Sequence, residues 1–121
     1  MEDSLTGIFN RKGALTYIEK YMADHQPGAL FLMDIDNFKQ VNDTYGHQTG
    51  DQVLILLAQV MKTHSRSQDV AARIGGDEFI LFLPGFTRED LLRERAGAIC
   101  ASFRSGGAKY DKVPLSVSVG I

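Results

Sequence analysis

The sequence predicts an α/β protein of the α+β kind: a ferredoxin-like or palm-like βαββαβ unit with a central antiparallel sheet and an extra N-terminal helix. Three observations lead there. Four short apolar runs suit strands, and stretches of helical spacing separate the first run from the second and the third from the fourth. Between the second and third lies only Gly75-Gly76-Asp77, a hairpin signal that leaves no room for a crossover helix and disfavours a doubly wound sheet. In a split sheet of this order the first and third strands are central neighbours. The end of the first, at Asp34–Asp36, is then expected near the hairpin at Gly75–Glu78.

Residues 11–24 read as the first helix, with Asn10 suited to its N-cap. Leu15, Ile18 and Met22 recur at helical spacing with Ala14 on the same face, and Pro27-Gly28 ends the segment. Residues 29–35 carry apolar side chains without alternation up to Asp34, the pattern of a strand buried on both faces. A short polar helical segment around Phe38–Asn42 and a turn at Tyr45–Gly46 follow. The next helix is expected from about Gly50 to His64, with Leu54, Leu57 and Met61 on a stripe widened by Val53 and Val60, and Asp51 in its first turn. Residues 70–74 and 78–83 form the hairpin strands, ended by Pro84 and Gly85. Thr87 and Asp90 resemble a relaxed capping box before a helix carrying Leu91, Leu92, Ala96, Ile99 and Phe103. Arg104 to Lys112 reads as a polar loop, and Val113 to Ile121 as the fourth strand.

Length and composition agree with this plan. A chain of 121 residues with 44% hydrophobic and 23% charged content makes one small domain with a real core. A net charge of -2 argues against a DNA or RNA partner, so any anionic ligand must be held by local features. Cys100 is the single cysteine and sits beside Ile99 in a helical run, which suits a buried structural thiol. No apolar stretch approaches the ~20 residues of a membrane span, and no secretory leader begins the chain. The cytoplasm is the expected compartment, with any membrane anchor belonging to a larger parent protein.

Two acidic stations carry the chemistry. Asp34 and Asp36 leave the first strand, and Asp77 and Glu78 stand at the hairpin. Carboxylates meeting at a sheet edge suit hard divalent cations, which take oxygen ligands and can activate a hydroxyl beside a phosphoryl group. Free N–H groups near Asn37–Phe38–Lys39 would receive phosphate oxygens, with the Lys39 charge beside them. Aspartates at strand ends and before glycines are also ordinary turn and cap residues. Residue types and spacing leave both readings open. No P-loop and no dinucleotide fingerprint is present; His25, His47 and His64 are isolated and lack a cysteine cluster for zinc.

Four segments, in order, resemble one known family. Arg73-Ile74-Gly75-Gly76-Asp77-Glu78-Phe79 is similar to the signature of the GGDEF domain, the catalytic domain of diguanylate cyclases. Asp34 through Asp43 resembles the family's phosphate and metal segment, Gly46 through Asp51 its continuation, and Asp3 through Arg11 its N-terminal motif. The resemblance implies condensation of two GTP into cyclic di-GMP with release of pyrophosphate. It implies two divalent ions (Mg²⁺ or Mn²⁺) per GTP half-site, bound by Asp34, the Ile35 carbonyl and Asp77, with Glu78 a further essential acid. It also implies guanine contacts from Asn42 and Asp51, terminal-phosphate contacts from the backbone of Phe38 and Lys39, and a substrate-admitting turn at Gly75 and Gly76. A homodimer of domains is expected for catalysis, and an upstream sensory or regulatory domain in the parent protein.

Arg66-Ser67-Gln68-Asp69 has the Arg-x-x-Asp form at the offset of the family's inhibitory site, so Arg66 and Asp69 are expected to bind the c-di-GMP product. Two departures stand out. The third signature position is Asp77, where many family members carry Glu. The family also has a helix with phosphate-gripping Lys and Arg, and a last strand, beyond the match to Ser118–Ile121. Weak or absent turnover by these 121 residues alone is therefore expected. The rival reading is a non-catalytic module that binds GTP or c-di-GMP as a sensor. Retention of Asp34, Asp77 and Glu78 disfavours it for the parent protein and leaves it open for these 121 residues.

Overall fold

The computed structural model describes residues 1–24, 27–108 and the backbone of 117–120. Its elements are α1 (Arg11–Ala23), β1 (Gly28–Ile35), α2 (Phe38–Tyr45), α3 (His47–Thr63), β2 (Val70–Arg73), β3 (Glu78–Pro84), α4 (Glu89–Gly106) and β4 (Val117–Gly120). The strands form one sheet in the order β2-β3-β1-β4, every neighbouring pair antiparallel. This is the βαββαβ split sheet with its added helix. The expected adjacency of β1 and β3 holds, in a register that sets Asp34 opposite Glu78.

Strand alternation divides the apolar residues between the two faces. Phe31, Met33 and Ile35 of β1 and Phe79, Leu81 and Leu83 of β3 pack under α3 and α4, against Val53, Leu57, Met61, Ile99 and Phe103. The other face carries a smaller cluster in which Ala14 of α1 meets Val70, Ala72, Ile80 and Phe82, flanked by Ile18 and Tyr21. Asn10 caps α1 as expected, its side chain accepting from the Gly13 N–H at 2.8 Å.

Several local expectations are corrected. β1 is buried on one face only: Leu30 and Leu32 are 39% and 55% exposed, because α1 lies over β2 and β3. For the same reason α1 turns Ala14, Ile18 and Tyr21 to the sheet, while Leu15 and Met22 are exposed. α3 begins at His47, so Asp51 lies beyond its first turn. Arg88 is the N-cap of α4 and no side chain caps it; Asp90 pairs with Arg88 at 2.7 Å rather than closing a box with Thr87. Cys100 is partly rather than fully buried, because it packs at the edge of the larger core instead of inside it. The expected loop from Arg104 is helical through Gly106. Gly107 and Ala108 form a turn, while positions 109–112 of that loop, the start of the last strand, Ile121 and His25 lie outside the described residues. Among the described residues no helix is long and apolar enough to cross a membrane.

Candidate functional site

The two acidic stations meet at one end of the sheet. The Asp34–Glu78 pairing closes the β1–β3 ladder, and the Ile35 N–H reaches the Asp77 carbonyl at 3.4 Å. Loss of solvent on the strand side raises the Asp34 pKa, and the carboxylates of Asp77, Glu78 and Asp36 raise it further. The cluster therefore holds more negative charge than its surroundings neutralise. Among the described residues no group of three or more His, Cys, Asp or Glu side chains forms a metal cage. The donor set suits instead an ion such as Mg²⁺, which takes one or two protein carboxylates and completes its shell with water and phosphate.

Gly75 and Gly76 keep the approach to this cluster bare. Neither has a positive φ, and a Cβ at Gly76 would meet nothing within 4 Å. Neither backbone strain nor internal crowding requires a glycine at position 76. The turn is held from below by Arg73, whose Nε donates to the carbonyls of Gly75 (3.2 Å) and Gly76 (3.1 Å), and whose Nη2 donates to Gly76 at 2.9 Å. Nη1 of the same residue lies 3.4 Å from the Asp3 carboxylate. Burial pushes the Asp3 pKa up, but bonds from the Thr6 hydroxyl and N–H, together with Arg73, outweigh it and hold the group below the usual range. Sequence reasoning gave Arg73 and Asp3 no role. A cation two residues before a two-glycine turn was the available signal.

Beside the acids, Asn37 adopts the left-handed conformation (φ 60°) and turns the chain sharply from β1 into α2. Its side chain makes no capping bond, so the N–H groups at the start of α2, including those of Phe38 and Lys39, have neither an intrahelical partner nor a side-chain cap from Asn37. Asn42 sits in the last turn of α2, and its side chain lies against Gly50, the residue before Asp51. The phosphate-type candidates thus stand at the start of α2, and the base-type candidates where its end meets the start of α3.

Arg66 and Asp69 form a separate ion-pair cluster. The Asp69 side chain is fully buried and accepts from Arg66 Nε (2.9 Å), Arg66 Nη2 (2.7 Å) and the Arg66 backbone N–H (2.7 Å). Arg95 of α4 reaches the same carboxylate at 3.3 Å. Both guanidinium groups stack on Phe86, 5.1 and 5.2 Å from its ring centre. Arg95 and Phe86 escaped sequence reasoning because only the fold brings α4 and the β3–α4 turn to the Arg66–Asp69 turn.

The family model described as "Diguanylate cyclase, GGDEF domain" matches residues 1–121. The chain belongs to the GGDEF family. Diguanylate cyclase DosC of Escherichia coli (strain K12) is 34% identical to this GGDEF domain, over 98% of the chain and 27% of DosC. The uncharacterized protein YtrP of Bacillus subtilis (strain 168) is 51% identical over 68% of the chain and 14% of YtrP. The GGDEF domain of DgcB from Caulobacter crescentus, solved in complex with c-di-GMP, superposes with a TM-score of 0.88 at 31% identity, covering 98% of this chain and 74% of that one. The chain thus spans 14% to 27% of the length of these two curated relatives.

Proposed function

We propose that this GGDEF domain is one half-site of a diguanylate cyclase, condensing two GTP into cyclic di-GMP with release of two pyrophosphates. The observation that carries the reading is the meeting of Asp34, Asp77 and Glu78 beside a bare glycine turn, next to an open helix N-terminus. Asp34, Asp77 and the Ile35 carbonyl would hold the two divalent ions (Mg²⁺ or Mn²⁺), which supply charge neutralisation at the phosphates and a lower pKa for the attacking hydroxyl. The backbone of Phe38 and Lys39 binds the terminal phosphates. Asp51 accepts from the guanine N1–H and 2-amino groups, and Asn42 completes the edge; adenine offers no matching donors.

Two copies face each other. Each GTP 3′-oxygen forms a bond to the partner nucleotide's α-phosphorus as the bond to pyrophosphate breaks. Glu78, paired across the ladder with Asp34, supports that hydroxyl as its proton leaves. Catalysis is chiefly positioning and electrostatics. Arg66 and Asp69 bind the product as an inhibitor, a reading favoured by two guanidinium forks and an aromatic ring gathered on one turn.

Incubation with GTP and Mg²⁺, followed by mass-resolved chromatography, tests the reading. Cyclic di-GMP formed weakly or not at all by the chain, readily by a C-terminally extended form, and by neither after Asp77→Asn is the expected result. GTP binding without product, in the chain and in a C-terminally extended form alike, would favour the sensor module instead.

A further inference from the structure

We propose that Gly50 is a positioning residue for base recognition: its missing side chain provides the seat in which the Asn42 carboxamide lies, beside Asp51. The nucleotide part of this inference rests on the reading of Asn42 and Asp51 as guanine contacts.

Gly50 stands in the first turn of α3, buried, with its N–H donating to the Gly46 carbonyl at 3.1 Å. A glycine there weakens the helix relative to alanine, so its presence calls for a reason. The backbone supplies none, because Gly50 is helical and its φ is not positive. Gly46 makes the contrast: its φ of 92° demands glycine, yet a Cβ there would meet nothing within 4 Å.

At Gly50 the demand is spatial. A Cβ would collide with Asn42 Oδ1 and stand 3.0 Å from Asn42 Cγ. The next neighbour, Phe38 Cζ at 3.5 Å, is an ordinary contact that alanine would tolerate. Asn42 has little freedom to retreat at its backbone, since its carbonyl accepts from the Gly46 N–H at 2.8 Å and fixes the α2–α3 corner. Any side chain at position 50 must therefore swing the carboxamide off α3. That would move one of the two base-reading groups away from the other.

A double-mutant cycle tests this on two readouts, melting temperature and the GTP dissociation constant, for the unmodified chain, Asn42→Ala, Gly50→Ala and the double variant. Gly50→Ala is expected to weaken GTP binding about tenfold, the loss of one neutral hydrogen bond, and to gain less Tm than alanine's better helix propensity would supply, because the carboxamide must swing aside. In the Asn42→Ala background the same change should leave GTP binding unmoved and raise Tm in full, because the colliding atoms are gone. Where Gly50→Ala alone does not fold, recovery of folding in the double variant supports the seat. Equal changes of Tm in both backgrounds would overturn it. GTP affinity unchanged by Asn42→Ala would defeat the guanine-site reading and the nucleotide part with it, while the melting cycle still decides the steric part.

Discussion

Arg73 and Gly76 are joined by two hydrogen bonds, from Nε at 3.1 Å and Nη2 at 2.9 Å to one carbonyl oxygen. The guanidinium thus fastens the turn that delivers Asp77, while its remaining nitrogen leans on Asp3. Lysine keeps the charge but offers no planar fork and cannot hold both turn and Asp3. Arg73→Lys is expected to lose about tenfold or more in cyclic di-GMP formation while costing about 1 kcal/mol of stability. Product formation and urea unfolding, measured together, check it; unchanged turnover would show that the clamp does not matter to the acids.

Asp34 carries a cost in the free protein. Its folded pKa is raised, so the folded state holds the proton more tightly than the unfolded chain does. The penalty is absent below the unfolded carboxylate pKa and grows as pH rises through the raised value. Asp34→Asn removes it. The variant should melt ~1–2 °C higher than the unmodified chain at pH 7, a small gain because solvent screens the site, and lose the advantage under acid. Mg²⁺ should raise the Tm of the unmodified chain and leave that of the Asp34→Asn variant unmoved, and the variant should make no product. A variant less stable at pH 7 would contradict the repulsion.

Asp69 and Arg66 should separate stability from inhibition. The Asp69 side chain is fully buried and gathers two arginines, so Asp69→Ala is expected to cost about 1–3 kcal/mol. Arg66→Ala removes a partly exposed side chain and leaves Arg95 on the carboxylate, for about 1 kcal/mol. Both should relieve inhibition by added cyclic di-GMP at least tenfold. Melting curves and product-inhibition curves on the two variants provide the check, and retained inhibition in Arg66→Ala would remove this turn from the site.

Much of this was legible in the sequence because it is local. The hairpin at Gly75–Asp77 allows only a split sheet, and that topology alone brings Asp34 to Glu78. What was not legible depends on where elements pack. Helical spacing groups Leu15 with Met22 as readily as Ala14 with Tyr21, and only the placement of α1 over β2 and β3 chooses between them. Thr87 has the right spacing for a cap, yet α4 begins after Arg88. Arg95, Phe86 and Gly50 gain their roles from neighbours remote in sequence or across a helix corner, where spacing carries no signal.

β1 gives the sharpest test of that distinction, since its apolar run gave no hint of two unequal faces. Phe31 is fully buried between α3, α4 and the sheet, whereas Leu32, its neighbour, is 55% exposed. Removing a buried phenyl ring loses its transfer free energy and leaves a cavity, so Phe31→Ala should cost about 3–5 kcal/mol. Leu32→Ala gives up surface that solvent already reaches and should cost under about 1 kcal/mol. Urea unfolding of the two variants, with an unchanged m-value as the sign of intact two-state behaviour, measures both. A Leu32→Ala loss as large as that of Phe31→Ala would mean that the second face of β1 is covered in solution, restoring the two-sided burial its sequence suggests.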